Sequence, residues 1–196
     1  LPILPATYTI TDNTFRGITA SPSVTHGSTL MISMIGSGSD NVNITGNTFS
    51  NLVTNAGVGL IGSSYNITGP GFQNISNNSI VGGLTINGNG GFLGISTGSG
   101  SSNAVMIHSN NNFSNITLTG NGDMVGMECL YASGSPTRTV TGNILTNWQT
   151  NGFVNMIAYD AFGGALSTIS NNTIQQISAG NALIAIQLGD LSLGRD

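Results

Sequence analysis

Any chemistry in this chain would have to come from very few residues. The carboxylates are Asp12, Asp40, Asp123, Glu128, Asp160, Asp190 and Asp196. The imidazoles are His26 and His108, the guanidiniums Arg16, Arg138 and Arg195, the thiol Cys129, and there is no lysine. Glycoside hydrolysis uses a pair of carboxylates flanking the scissile bond. Here neither an Asp-Asp pair nor an Arg-x-Lys occurs, and the acids fall at different phases of the repeat described below. Asp12 and Asp160 read as turn residues. Glu128 reads as a strand residue facing solvent, and His26, in a Thr-His-Gly-Ser connector, as an exposed loop residue. No His, Cys, Asp or Glu cluster has zinc or calcium ligand spacing. A lone Cys129 excludes an internal disulfide, and its apolar surroundings mark it as a small buried hydrophobe. The expectation is no catalytic residue, no metal and no cofactor.

The bulk composition narrows the classes further. The chain has 196 residues, 38% of them apolar, a net charge of −4 and 29 glycines. Disorder goes with low hydrophobicity and high net charge, and this chain has neither. Three arginines cannot form the basic patch that nucleic-acid binding needs. No apolar run approaches the roughly 18–20 residues of a membrane span, and no signal peptide is visible. A start without Met suggests a processed product or an excised segment.

What organises the chain is a frame that returns about every 32 residues. It runs Ile10-x-x-Asn13-x-Phe15-x-x-Ile18, Ile44-x-x-Asn47-x-Phe49-x-x-Leu52 and Ile75-x-x-Asn78-x-Ile80-x-x-Gly83. It continues as His108-x-x-Asn111-x-Phe113-x-x-Ile116, Val140-x-x-Asn143-x-Leu145-x-x-Trp148 and Ile169-x-x-Asn172-x-Ile174-x-x-Ile177. The asparagines are 34, 31, 33, 32 and 29 residues apart. A fixed period of this size marks a repeat architecture. Dense glycine and β-branched residues disfavour helix, and the apolar positions alternate as in short strands. Each repeat supplies three of them: one after the Asn, one Met- and Leu-rich run such as Leu30–Ile35 or Phe153–Tyr159, and one leading into the next Asn. Gly/Ser connectors absorb the length differences.

Three short strands per turn describe an all-β, right-handed parallel β-helix of about six coils, residues 1–196 forming one domain or a segment of a longer solenoid. Coils ~4.8 Å apart make a rod ~29 Å tall. Ile10, Ile44, Ile75, Val140 and Ile169 should form one inward stack, and Phe15, Phe49, Ile80, Phe113, Leu145 and Ile174 another. His108 breaks the first stack, and Ile107 could fill its slot through a bulge. The out-of-phase segment Tyr65–Phe72 leaves the register around 62–80 open. Asn13, Asn47, Asn78, Asn111, Asn143 and Asn172 are expected to ladder amide on amide at a bend between sheets.

The frame I-x-x-N-x-[FI]-x-x-[IL], over about Tyr8 to Leu188, resembles the parallel β-helix repeat of the pectin-lyase-like superfamily. That resemblance implies the fold. For activity it implies little, since the superfamily spans polysaccharide lyases, galacturonan hydrolases, epimerases, phage tailspikes and non-enzymatic surface proteins. The lyases of the group hold Ca²⁺ with clustered Asp and use an Arg or Lys base, and this chain has no such cluster.

Two surfaces remain. Thr9, Thr11, Thr45, Thr139, Thr141 and Thr168, with Asn43, Asn74, Ser76 and Ser170 between them, should line a flat outer face able to meet ice or a polysaccharide. The ends lack an amphipathic cap, and Pro2 and Pro5 give weak protection to one strand. The expected function is an extracellular or cell-surface structural protein, an adhesin stalk segment or a filament subunit. Its expected partners are copies of itself or adjoining coils end to end. An ice- or glycan-binding face is the alternative and a polysaccharide lyase or hydrolase a third; nucleic-acid binding and membrane insertion are not expected. Seven N-x-S/T triplets, at Asn43, Asn66, Asn74, Asn77, Asn112, Asn115 and Asn171, would be glycan acceptors in a eukaryotic secretory chain, although the Asn, Ser and Thr bias also produces such triplets by chance.

Overall fold

The computed structural model describes residues 5–20, 28–98, 100–129, 136–159, 162 and 166–189. Leu1–Leu4, His26, Asp160, Asp190, Arg195 and Asp196 lie outside the described residues. Every strand pairing is parallel and joins a segment to its equivalent one coil away, giving a β-solenoid of about five turns. The chain winds through three faces in each coil.

The lead-in face stacks Thr7–Thr11, Asn41–Thr45, Phe72–Ser76, Val105–Ser109, Thr137–Thr141 and Thr168–Ser170. The closing face stacks Ser28–Gly38, Gly57–Ile67, Phe92–Thr97, Met124–Cys129, Val154–Tyr159 and Leu183–Leu188. Between them lies a bent face. In the first three coils it is split into Thr14–Arg16 and Thr19–Ala20, Thr48–Ser50 and Val53–Thr54, and Ser79–Val81 and Leu84–Ile86. In the last two it runs unbroken as Ile144–Thr150 and Thr173–Ala179.

Two columns of left-handed backbone make the corners. The residue before each ladder asparagine has positive φ in every coil: Asp12, Gly46, Asn77, Asn110, Gly142 and Asn171, at 54–69°. The residue four after each asparagine does the same at Gly17, Asn51, Gly82, Asn115, Asn147 and Gln176. Glycine adopts this region freely and Asn or Asp does so at low cost. Their recurrence at these two phases is why the chain turns at the same places in each coil. Gln176 is the one long side chain in the second column.

The inward stacks follow from the register. Ile10, Ile44, Ile75, His108, Val140 and Ile169 are successive partners. His108 therefore occupies the aliphatic slot itself, buried to 1% exposure. There is no bulge, and Ile107 takes the neighbouring phase between Asn74 and Thr139. Phe15 and Phe49 stack with centroids 5.1 Å apart, and Ile80 follows Phe49 in register. One frame position is corrected: Leu84, not Gly83, pairs with Ile116. Gly82 and Gly83 both have positive φ, which lengthens the corner by a residue and moves the column to Leu84. The register around 62–80 is continuous, because Tyr65–Ile67 extends the closing-face strand against Gly36–Gly38 before Gln73 joins Val42 on the lead-in face.

Stacking is tight enough to dictate glycine inside the closing face. A Cβ on Gly94 would lie 2.4 Å from the Gly126 carbonyl oxygen and 2.8 Å from the Phe113 ring. A Cβ on Gly126 would lie 2.3 Å from the Met156 carbonyl oxygen.

Candidate functional site

The six asparagines form one hydrogen-bonded file at the corner between the lead-in and bent faces. Asn13, Asn47, Asn78, Asn111 and Asn143 each donate from Nδ2 to the Oδ1 of the next coil's asparagine, at 2.8–3.0 Å. Their backbone N–H groups donate to the same oxygens at 3.0–3.1 Å. The second Nδ2 hydrogen goes back one coil, from Asn47 to the Ile10 carbonyl and likewise from Asn78, Asn111, Asn143 and Asn172 to Ile44, Ile75, His108 and Val140. Asparagine alone can do this: one oxygen accepts twice while one amine donates twice, across three coils. Glutamine is a methylene too long for the corner, and aspartate lacks the donors. The file is structural chemistry, and its amide groups are occupied by one another.

The hydroxyl face is less open than the sequence suggests. Thr9, Asn43, Asn74, Ile107, Thr139 and Thr168 align in one column, and Thr11, Thr45, Ser76, Ser109, Thr141 and Ser170 in the other. Ile107 interrupts the first. Three lateral bonds cross it among the described residues: Asn74 Nδ2 on Asn43 Oδ1 at 3.3 Å, Ser76 with Ser109 at 2.9 Å, and Thr141 with Ser170 at 3.2 Å. Of the named threonines only Thr141 is engaged in this way.

A polar seam that the frame did not reveal runs through the core. Arg138, 1% exposed, occupies an inward lead-in position, its Nη2 3.1 Å from Cys129 Sγ and its guanidinium carbon 5.7 Å from the Tyr159 ring centroid. The Tyr159 hydroxyl is hydrogen-bonded to His108 Nδ1, and Cys129 Sγ reaches the Gly98 carbonyl at 3.2 Å. Nearby, Gln73 Nε2 donates to Ser63 Oγ at 2.9 Å. Burial holds His108 neutral, pushed down to about 3, with the Arg138 charge adding to the effect. Burial likewise raises the Tyr159 hydroxyl above the ordinary phenol range, Cys129 and Glu128 adding to it and the Arg138 charge opposing it.

The seam gives a pH expectation. Unfolded His108 takes a proton near pH 6.5, whereas the folded imidazole resists until about pH 3. Its contribution to stability is therefore complete above pH 6.5 and is lost as pH falls towards 3. The slope is up to about 1.4 kcal/mol per pH unit. Urea unfolding at a series of pH values checks this: His108→Val, which restores the aliphatic column, should lower the acid slope by about one proton's worth. An unchanged slope would show that the imidazole is not the titrating group.

Among the described acids, Asp12 sits at a corner with positive φ, and the other three are hydrogen-bonded. Asp40 accepts from the Tyr65 hydroxyl at 2.5 Å and from the Ala6 amide at 2.8 Å, and these bonds hold its carboxyl below the usual range. The Asp40 bond, with burial second, raises the Tyr65 phenol. Asp123 Oδ1 accepts from the Phe153 amide at 2.9 Å. Glu128, expected to face solvent, is instead 8% exposed, with Ser96 Oγ 3.2 Å from its carboxylate. Arg16 is exposed on the bent face. Among the described residues no three His, Cys, Asp or Glu groups gather around a possible metal position. No helix among them is long and apolar enough to cross a membrane.

No family model, curated protein or solved structure matches this chain. Its reading therefore rests on its own geometry.

Proposed function

We propose that this chain is a structural β-solenoid, an extracellular or cell-surface stalk segment or filament element that continues end to end with further coils. The single observation that carries the reading is the state of the last coil. Its Leu183, Ile186 and Leu188 stand in register on Val154, Ile157 and Tyr159. The inner three are 0% exposed, whereas the last-coil residues are 47%, 48% and 47% exposed. A row of apolar side chains on a strand with no second partner strand among the described residues is a template for another strand. The hydrogen bonding of Asp40, Asp123 and Glu128, with no pair of them together, further supports a structural role over polysaccharide cleavage. The break of the hydroxyl column at Ile107 weighs against ice or glycan capture.

Sedimentation velocity and negative-stain microscopy of the purified chain at increasing concentration test it. Unbranched rods that lengthen with concentration, one coil wide, are expected. Dispersed single particles at every concentration would overturn end-to-end joining.

A further inference from the structure

The corner between the bent and closing faces holds all four Asn-Gly pairs of the chain: Asn87-Gly88, Asn89-Gly90, Asn121-Gly122 and Asn151-Gly152. The asparagines are exposed. Counting back from the partners Val58, Phe92, Met124 and Val154 places Gly90, Gly122 and Gly152 above Ala56 in one column. There the neighbouring coil forbids a side chain. A Cβ would come within 2.3 Å of Gly57 N at Gly90, 2.1 Å of Gly90 O at Gly122 and 2.4 Å of Gly122 O at Gly152. Coil packing thus fixes a glycine after an exposed asparagine. With no Cβ in the way, that glycine's amide nitrogen can approach the asparagine Cγ.

The four pairs differ in what their glycine amide is doing. Gly88 N donates to Thr119 Oγ1 at 3.2 Å and Gly152 N to Thr150 Oγ1 at 3.0 Å. Gly90 N and Gly122 N donate to no group among the described residues. Asn89 has a further feature: its Oδ1 accepts from the Asn121 backbone N–H at 3.1 Å. A fixed donor on that oxygen stabilises the negative charge that develops when a nucleophile adds to Cγ.

We propose that Asn89, followed by Asn121, is a site of spontaneous deamidation, while Asn87 and Asn151 are protected by the threonines that hold the attacking nitrogen. Gly90 N loses its proton to solvent and bonds to Asn89 Cγ; the amide nitrogen leaves as ammonia, giving a succinimide. Water then opens the ring at either carbonyl, leaving aspartate or isoaspartate and one new negative charge. Conversion at both positions places two carboxylates one coil apart, at about 4.8 Å.

The test ages the folded full-length chain in mildly alkaline buffer, then maps peptides by mass spectrometry with electron-transfer fragmentation, which separates isoaspartate from aspartate. Asn89 should convert about tenfold faster than Asn87 or Asn151, the factor expected from one hydrogen bond that need not be broken. Thr119→Val, at an exposed position, should raise the Asn87 rate by about the same factor and leave Asn89 unchanged. The proposal is overturned by equal rates at all four sites, by Asn87 or Asn151 leading, or by a Thr119→Val chain whose Asn87 rate does not move. It is equally overturned if Asn89 persists in the folded chain while urea-unfolded chain converts it.

Discussion

Asn111→Leu is expected to lower the unfolding free energy by about 3–5 kcal/mol. The side chain is 0% exposed and sits in the middle of the file. Its Oδ1 accepts from both the backbone and side chain of Asn78, and its Nδ2 donates to Asn143 Oδ1 and the Ile75 carbonyl. Leucine removes all four bonds and strands the Asn78 donors and the Ile75 carbonyl in a site closed to water, where each unsatisfied group costs about 1–3 kcal/mol. The sum is moderated by relaxation. The same substitution at exposed Asn13 should cost about 1 kcal/mol or less, because water replaces what is lost. Urea unfolding of the two variants side by side decides the matter. Equal losses at the two positions would mean that the amide file adds nothing beyond ordinary packing.

Gly94→Ala should be as damaging, at about 3 kcal/mol or more, by a different cause. The added methyl meets the Gly126 carbonyl oxygen at 2.4 Å, and that backbone atom cannot step aside because the residues on either side, Val125 and Met127, are held in register with Leu93 and Ile95. Gly62→Ala is the control. Its new methyl meets only the Leu30 side chain, at 3.0 Å, and Leu30 is exposed and free to swing away. That change should cost under about 1 kcal/mol. Thermal unfolding gives both values, and a Gly94 variant as stable as the Gly62 variant would contradict the coil spacing described above.

The solenoid itself was legible in the sequence because a stacked architecture prints its period directly. Asn13 through Asn172 mark one corner, and the residues three before them mark one inward column. The second column of turns was equally visible, as Gly or Asn four residues after the ladder position in Gly17, Asn51, Gly82, Asn115 and Asn147. A frame built on apolar positions passes over it. The two-glycine corner at Gly82-Gly83 hid Leu84, since a local insertion shifts the column without altering its chemistry. Arg138 was passed over for a different reason. Strand alternation puts it on the same side as Val140, two residues on, but a guanidinium is not expected inside. Only the structure shows the Cys129 sulfur and Tyr159 ring that accommodate it. The lateral bonding of the hydroxyl face depends on side-chain torsions, which composition does not encode.

The asparagine file has a direction. Each of its links between neighbouring amides runs from nitrogen to oxygen with the same sense, from Asn13 towards Asn172. Aligned amide dipoles reinforce one another, so the rod carries a vector along its axis: among the described residues the Asn13 oxygen at one end accepts no bond and the Asn172 backbone N–H at the other donates none. Two such rods brought together tail to tail would set oxygen against oxygen. Only a head-to-tail meeting lets the row continue, so any growth along this axis is one-way.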